Sequence, residues 1–392
     1  MLCLKRLYRF FPVSIITIFF LLFMSFIDIE TVEKRYNVHA GHASLLQKKT
    51  APTIEQEITV SAVGDVLIHS PVYEDARERD GFDFNPMFKQ VKTYLDSSTV
   101  TIANQETMIG GEEMGLSSYP SFNSPFEVGD ALKENGVDVV TIANNHTLDR
   151  GEQAITNAIG HWQSIDMLYE GAYQNKEDQE KIRVLETEEG ISIASLAYTY
   201  GTNGIPVPQG KEYLVDLIDR KKMKEEIIKA KKLADVVVLS LHFGNEYEHY
   251  PNQSQKDLAK FAANLGVDVI IGHHPHVLQP IDWVKGEGGH QTLVAYSLGN
   301  FLSNQQKYNQ RVGGIFGFSI TKRVKGEEEN IEVHSPTFVP TYVYFENNYT
   351  NFRVIPMYQL RDDQLENAQQ KYEETKQHIN QYINEVEFLE KE

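Results

Sequence analysis

The sequence predicts an α/β fold in which a largely parallel sheet is layered against helices. Three observations predict it. From Ile58 onward, short β-branched runs alternate with helical stretches, the pattern of successive βα units. Gly136 and Gly266 stand just past two predicted helices, where a C-cap glycine belongs before the next strand. Each strand-like run also ends in a polar cluster, and in such sheets the carboxyl ends of the strands converge on a ligand-binding crevice.

The strand-like runs come in order. Residues 58–63 end in Gly64-Asp65, with His69 close behind, and residues 100–103 end in Asn104-Gln105-Glu106. Residues 137–143 run into Asn144-Asn145-His146, and residues 235–241 into His242. Residues 267–272 run into His273-His274-Pro275-His276. Helices are predicted over 86–95, 125–135, 151–164, 213–233 and 254–265, and a hairpin over 182–186 and 191–198. After Gly313 the chain turns β-rich and antiparallel through about residue 355. Residues 362–392 lack glycine and proline and carry apolar side chains at helical spacing, Leu365 and Tyr372 through Leu389. They predict an amphipathic helix, either packed on the surface or presented to a partner. Residues 135–139 and 265–269 echo one another, as two halves of a layered α/β sandwich or as two junctions built alike.

At 392 residues with 41% hydrophobic content, the chain has ample length for a buried core. A formal charge of −18 and the lack of a basic stripe exclude nucleic acid as a partner. The N-terminus differs in character: Lys5, Arg6 and Arg9 precede an apolar run over residues 10–27, followed by Asp28 and Glu30. Such a run just suffices to span a bilayer, with the positive end inside. The expectation is a single-pass signal-anchor in the cell membrane with the main domain extracellular. A cleavable signal peptide ending near Val38-His39-Ala40 is the rival. Cys3 is the one cysteine, so no intramolecular disulfide forms. The expected organisation is a cytoplasmic end and anchor (1–27), a polar tether (28–56), a main domain (57–335), and C-terminal strands with the amphipathic helix (336–392).

Imidazoles, carboxylates and a carboxamide at one crevice are the ligand set of a hard-to-borderline divalent metal, often present as a pair of ions in hydrolytic sites. The candidate ligands are Asp65, His69, Glu106, Asn145, His242, His274 and His276. A turn aspartate, a solvated loop carboxylate and a solvent-facing histidine are the structural alternatives for Asp65, Glu106 and His69. His242 closes a run in which an unpaired histidine would be awkward. His274 and His276 alternate, so an extended segment would point both to one side and turn His273 away, as a supporting or packing residue. His146 is a candidate acid or phosphate ligand. Asp149 either orients His146 or, the favoured alternative, caps the helix beginning near Gly151. Asn144, Glu246, Tyr247 and Asn300 are candidate substrate-binding or ligand-supporting residues, with a plain turn as the alternative for Asn300.

Six segments, in this order, resemble the CapA family of capsule and poly-γ-glutamate synthesis proteins. They are Val63-Gly64-Asp65, Asn104-Gln105-Glu106, Ala143-Asn144-Asn145-His146, the stretch from His242 to Tyr247, the stretch from Gly272 to Val277, and that from Tyr296 to Phe301. The resemblance covers roughly residues 58–302 and implies a layered sandwich of the metallo-dependent phosphatase type. It also implies that Asp65, Glu106, Asn145, His242, His274 and His276 hold divalent metal, two ions of Mn, Fe, Zn or Mg, with His146 as the acid at the leaving group. Phe243 stands where the family commonly has tryptophan, and ordinary metallophosphoesterases would open on Asp-x-His, which this chain lacks. Two functions are expected from it. One is an anchored component of capsule or poly-γ-glutamate synthesis or export that holds the anionic polymer or a polymer synthase complex. The other is a metal-dependent hydrolase, phosphoesterase or amidase, acting on a cell-envelope substrate. A metal-binding scaffold without turnover is the blander alternative.

Overall fold

The computed structural model describes residues 53–391, so the expected anchor, Cys3 and nearly all of the expected tether lie outside the described residues. The strands are β1 (Thr53–Leu67), a short hairpin of β2 (Arg77–Glu78) and β3 (Gly81–Phe82), β4 (Val100–Gln105), β5 (Val139–Thr141), β6 (Leu168–Glu170), β7 (Arg183–Glu186) and β8 (Ser192–Thr199). They continue with β9 (Val236–His242), β10 (Val269–His273), β11 (Leu278–Lys285), β12 (Gln291–Leu298), β13 (Asn300–Ser303), β14 (Val312–Lys325), β15 (Glu328–Tyr344), β16 (Arg353–Pro356) and β17 (Glu387–Phe388). One sheet has the order β16-β15-β14-β1-β4-β5-β6, with β13 beside β1 and β17 beside β15. The other has the order β11-β12-β10-β9-β8-β7. The site-bearing strands β1, β4 and β5 are mutually parallel, as are β8, β9, β10 and β12.

Alternation along these strands sorts their side chains into layers. Val60, Ala62 and Ile102 from the first sheet meet Val236, Val238 and Ile271 from the second in a shared inner core. The outward residues Val63 and Val140 pack under the helices Glu127–Glu134 and Gly151–Ser164, with Trp162 fully buried between them. Val237, Leu239 and Ile270 pack under the helices Arg220–Ala230 and Gln253–Asn264. The result is a helix–sheet–sheet–helix sandwich. Each fully buried aliphatic side chain stabilises it by about 1.5–3 kcal/mol.

The sequence echo has a structural cause. Helices Glu127–Glu134 and Gln253–Asn264 both end in a left-handed glycine, Gly136 (φ 89°) and Gly266 (φ 80°). In each, the next amide reaches back to the third-last helical carbonyl, Val137 to Leu132 and Val267 to Ala262. The following aspartates then bracket the neighbouring strand. The Asp138 carboxylate accepts from the Thr101 amide at 2.9 Å, and the Asp268 carboxylate from the Val237 amide at 2.8 Å. One junction feeds β5 of the first sheet and the other feeds β10 of the second.

Other expectations need correction. Residues 86–95 form two short helices, Asn85–Phe88 and Lys92–Leu95. The helix expected over 213–233 begins only at Arg220, where the Asp219 side chain caps it through the Lys222 amide. Strand β1 starts inside the expected tether, and β15 runs unbroken across residues 335 and 336, where a boundary was expected. The terminal helix covers only Ala368–Ile379, after which residues 387–388 join β15 as β17. That helix folds back: Tyr372 and Ile379 are buried in the inner core, and the His378 ring lies 3.0 Å from the Leu278 carbonyl. Among the described residues no helix is long and apolar enough to cross a membrane.

The aspartate brackets are testable. Asp268→Ala leaves the buried Val237 amide without its acceptor and is expected to cost about 1–3 kcal/mol. Asp268→Asn keeps an acceptor oxygen and should cost clearly less, as compared by denaturant midpoints at unchanged slope.

Candidate metal centre

Strand register assembles the site. In the first sheet Asn104, Asp65 and Asn300 are direct neighbours across β4, β1 and β13. In the second, Thr199, His242 and His273 are neighbours across β8, β9 and β10. Both rows lie at or near the carboxyl ends of their parallel strands, except Asn300, which opens β13. The register of β1 shifts beside Gly64, where a Cβ would come within 2.1 Å of the Gly299 carbonyl oxygen. Only glycine allows that approach, and the irregularity re-aims Asp65, a common use of bulges beside functional sites.

Asp65 is fully buried, and its carboxylate is heavily engaged. The Asn104 amide donates to Oδ1 at 2.8 Å, and His273 Nδ1 lies 3.1 Å from the same oxygen. His276 Nδ1 lies 3.1 Å from Oδ2 and also 3.1 Å from Asn300 Oδ1. Glu106 is equally buried, yet neither of its oxygens has a hydrogen-bond partner. Its Oε1 sits 3.6 Å from both His242 Nε2 and His276 Nε2. His242 Nε2 is 2.9 Å from Asn145 Oδ1. Two groups of ligand-capable atoms form, Asp65 with Glu106 and His242, and Glu246 with His274 and His276, each within 4.8 Å of one another.

His274 and His276 reach the site by a route other than the expected one. Residues 274–277 are bends outside β10, and both histidines have left-handed backbone, with φ 96° and 56°. Such conformations cost of order 1–3 kcal/mol each and gather at functional sites. His273, still within β10, lies on Asp65 instead of away from it. His146 Nδ1 is 2.8 Å from Asp149 Oδ2, and Asp149 also accepts from the Phe122 amide. Asp149 therefore does not cap the helix Gly151–Ser164, whose N-terminus lacks a side-chain cap. Asn144 donates to the Gln105 carbonyl and accepts from the His146 amide, fixing that loop to β4. His69 is in neither ligand group; its Nδ1 lies 3.0 Å from the Leu67 carbonyl and its ring stands edge-on to Phe122. Glu246 and Tyr247 are exposed at the mouth.

Sequence inspection missed Tyr200. Its ring lies 4.6 Å from that of His274 and nearly parallel to His242, and it follows the end of β8 directly. The strand-end rule would have found it had β8 been followed beyond its hairpin. Asn203 and Phe122, both packed at His146, come from loops without a sequence signal.

Electrostatics follow from burial. Burial alone would raise the Asp65 carboxyl, but the hydrogen bonds and charges of His273 and His276 hold it well below the usual range. Burial pushes the Glu106 carboxyl well above that range, with Asp65 and Glu246 adding to the effect against His276. His276 resists burial because Glu106 and Asp65 face it, and is lifted to about 9. Burial, and then the charge of His276, push His274 down to about 3. Burial likewise lowers His242 well below its ordinary value and His69 to about 4.

The residues fit a divalent cation. Besides both Glu106 oxygens, Asn104 Oδ1, His242 Nδ1 and His274 Nδ1 are buried without a partner among the described residues. Each unsatisfied atom would cost about 1–3 kcal/mol, and a cation ligated by Glu106 would relieve its two bare oxygens. Carboxylate, imidazole and carboxamide are a donor set for Mn, Fe, Zn or Mg.

Fold and site define an α/β sandwich with a candidate metal centre where the strand ends of both sheets meet. The chain belongs to the bacterial capsule synthesis protein family PGA_cap, whose model matches residues 59–305. PGA biosynthesis protein CapA of Bacillus subtilis (strain 168) is 29% identical over 315 residues, covering 77% of this chain and 78% of that protein. Capsule biosynthesis protein CapA of Bacillus anthracis is 31% identical over 258 residues, covering 64% of this chain and 61% of that protein. A solved Staphylococcus aureus structure titled as a putative 5'-nucleotidase overlays with a TM-score of 0.40 and 14% identity, over 81% of this chain and 58% of that one, too distant to bear on function.

Metal binding should carry a pH signature. Below about 9 the metal-free His276 holds a proton that it must lose to ligate, so divalent-metal affinity is expected to rise with pH toward that value. Binding near neutral pH should release protons, read by titration calorimetry in buffers of different ionisation enthalpy. Glu106→Gln should weaken metal binding by about 100-fold or more, read as metal retained after dialysis.

Proposed function

We propose that this chain is a membrane-anchored component of capsule or poly-γ-glutamate synthesis or export, with its main domain outside the cell and a divalent-metal centre as its working part. Family membership and the names of the two CapA relatives support the biological half. The basic-then-apolar pattern through residue 27 supports the anchor. One observation carries the chemical half: the buried Glu106 carboxylate, unpaired and 3.6 Å from an imidazole of each ligand group. On this proposal two ions are held by Asp65, Glu106, Asn145, His242, His274 and His276, with Glu246 at the exposed edge.

A divalent ion supplies Lewis acidity, polarising a phosphoryl or carbonyl oxygen and acidifying water. The chain's own residues do the rest. His273, Asn104 and Asn300 orient Asp65 and His276, and such supporting contacts tune metal sites nearly as much as the ligands do. A net charge of −18 repels an anionic polymer, so a cation-filled centre is where such a polymer would be attracted. A synthase complex at the same membrane face is the proposed protein partner.

The alternative, a metal-dependent hydrolase of an envelope phosphoester or amide, is favoured by one specific observation. His146 is held by Asp149 at 2.8 Å, beside the cluster, as a general acid at a leaving group would be.

Both are tested on the purified full chain. Wild type is expected to retain divalent metal, and the His274→Ala, His276→Ala double variant to lose it and to fail to restore polymer to cells lacking the gene. Full polymer restoration by the metal-free variant would refute the working-part role. If an aryl phosphodiester is hydrolysed, His146→Ala should keep the metal and lose about 100-fold or more in turnover.

A further inference from the structure

Beside the metal cluster lies a groove of about 420 Å³. Its wall toward the cluster is Tyr200, whose ring packs on His274 on one side and lines the groove on the other. Phe243, next to His242, continues that wall, and Asn245 and Ser254 offer polar groups along it.

The groove's charge is informative. Arg220 is the one cation among its lining residues, on a protein carrying −18 overall. Its guanidinium rests over the Phe261 ring at 5.1 Å, and it is in no ion pair among the described residues. Stacking of this kind holds the planar group in place while leaving its edge donors free for a bidentate carboxylate. The one acid of the lining, Asp257, is turned to its own helix, where Gln253 donates to it at 2.8 Å.

We propose that this groove is a subsite for the acidic chain flanking the group held at the metal centre, with Arg220 pairing a repeat-unit carboxylate and Tyr200 guiding the chain over His274. The subsite rests on the capsule-polymer function proposed above. It answers that function's main physical objection, because a strongly acidic domain needs a local cation wherever an acidic polymer lies.

The test uses the metal-loaded full chain and two probes, a short γ-linked glutamate oligomer and the neutral γ-linked glutamine oligomer of equal length. Titration calorimetry is expected to show the glutamate oligomer binding about tenfold or more tightly. Arg220→Glu should weaken glutamate-oligomer binding about tenfold and make it less salt-dependent, leaving only the preference due to the metal centre, Arg220→Lys should lose less, and metal content should be unchanged in both. Arg220 is exposed, so both variants should fold. If wild type prefers the acidic oligomer but Arg220→Glu binds it within about twofold of wild type, the subsite is wrong and the polymer function stands. If wild type binds neither oligomer, both are overturned.

Discussion

Two carboxylates without solvent exposure, Asp65 and Glu106, set the terms for everything at the strand ends. An isolated buried ion costs several kcal/mol even after relaxation, so each must be met by hydrogen bonds, a proton or a cation. The fold treats the two differently. Asp65 is surrounded by donors, from Asn104 and from the rings of His273 and His276, and stays ionised. Glu106 is left with bare oxygens facing two imidazoles, and burial pushes its carboxyl well above the usual range. The irregular strand at Gly64, the left-handed backbone at His274 and His276, and the matched register of two sheets all serve that arrangement.

Much of the site was legible because strand termini obey a simple rule. Runs such as residues 235–241 are apolar on both faces, so they belong inside, and the polar residues at their ends must emerge at the sheet edge. That reasoning located Asp65, Glu106, His242 and the residue 273–276 cluster without any knowledge of how the sheets face each other. It misjudged how His274 and His276 get there, since an extended segment and a left-handed turn leave similar residue patterns. It also took Asp149 for a helix cap, because short-range cap propensity is visible in sequence and a contact with His146 closed by loop packing is not. The terminal helix was overextended for a related reason: Ile383, Val386 and Leu389 keep helical spacing while packing as coil around the short strand Glu387–Phe388.

The aspartates ahead of the buried runs hold a separate lesson. Asp138, Asp235 and Asp268 each precede a β-branched run, and each accepts a backbone amide from an adjacent strand. A carboxylate at that position registers two parallel strands where the ladder begins, and the same device serves three times. The resemblance between residues 135–139 and 265–269 therefore belongs to folding. The histidines at or beyond the far ends of the same strands gather around the candidate metal centre, and only the length of a strand separates the two signals.

Strand β1 has one more consequence. It enters at Thr53 and delivers Asp65 twelve residues later, after about 40 Å of extended chain. The start of β1 and the candidate metal centre thus lie near opposite ends of one strand. A one-residue slip anywhere along β1 would turn Asp65 to the other face of the sheet, so the pairing of the whole strand fixes the aim of a single carboxylate.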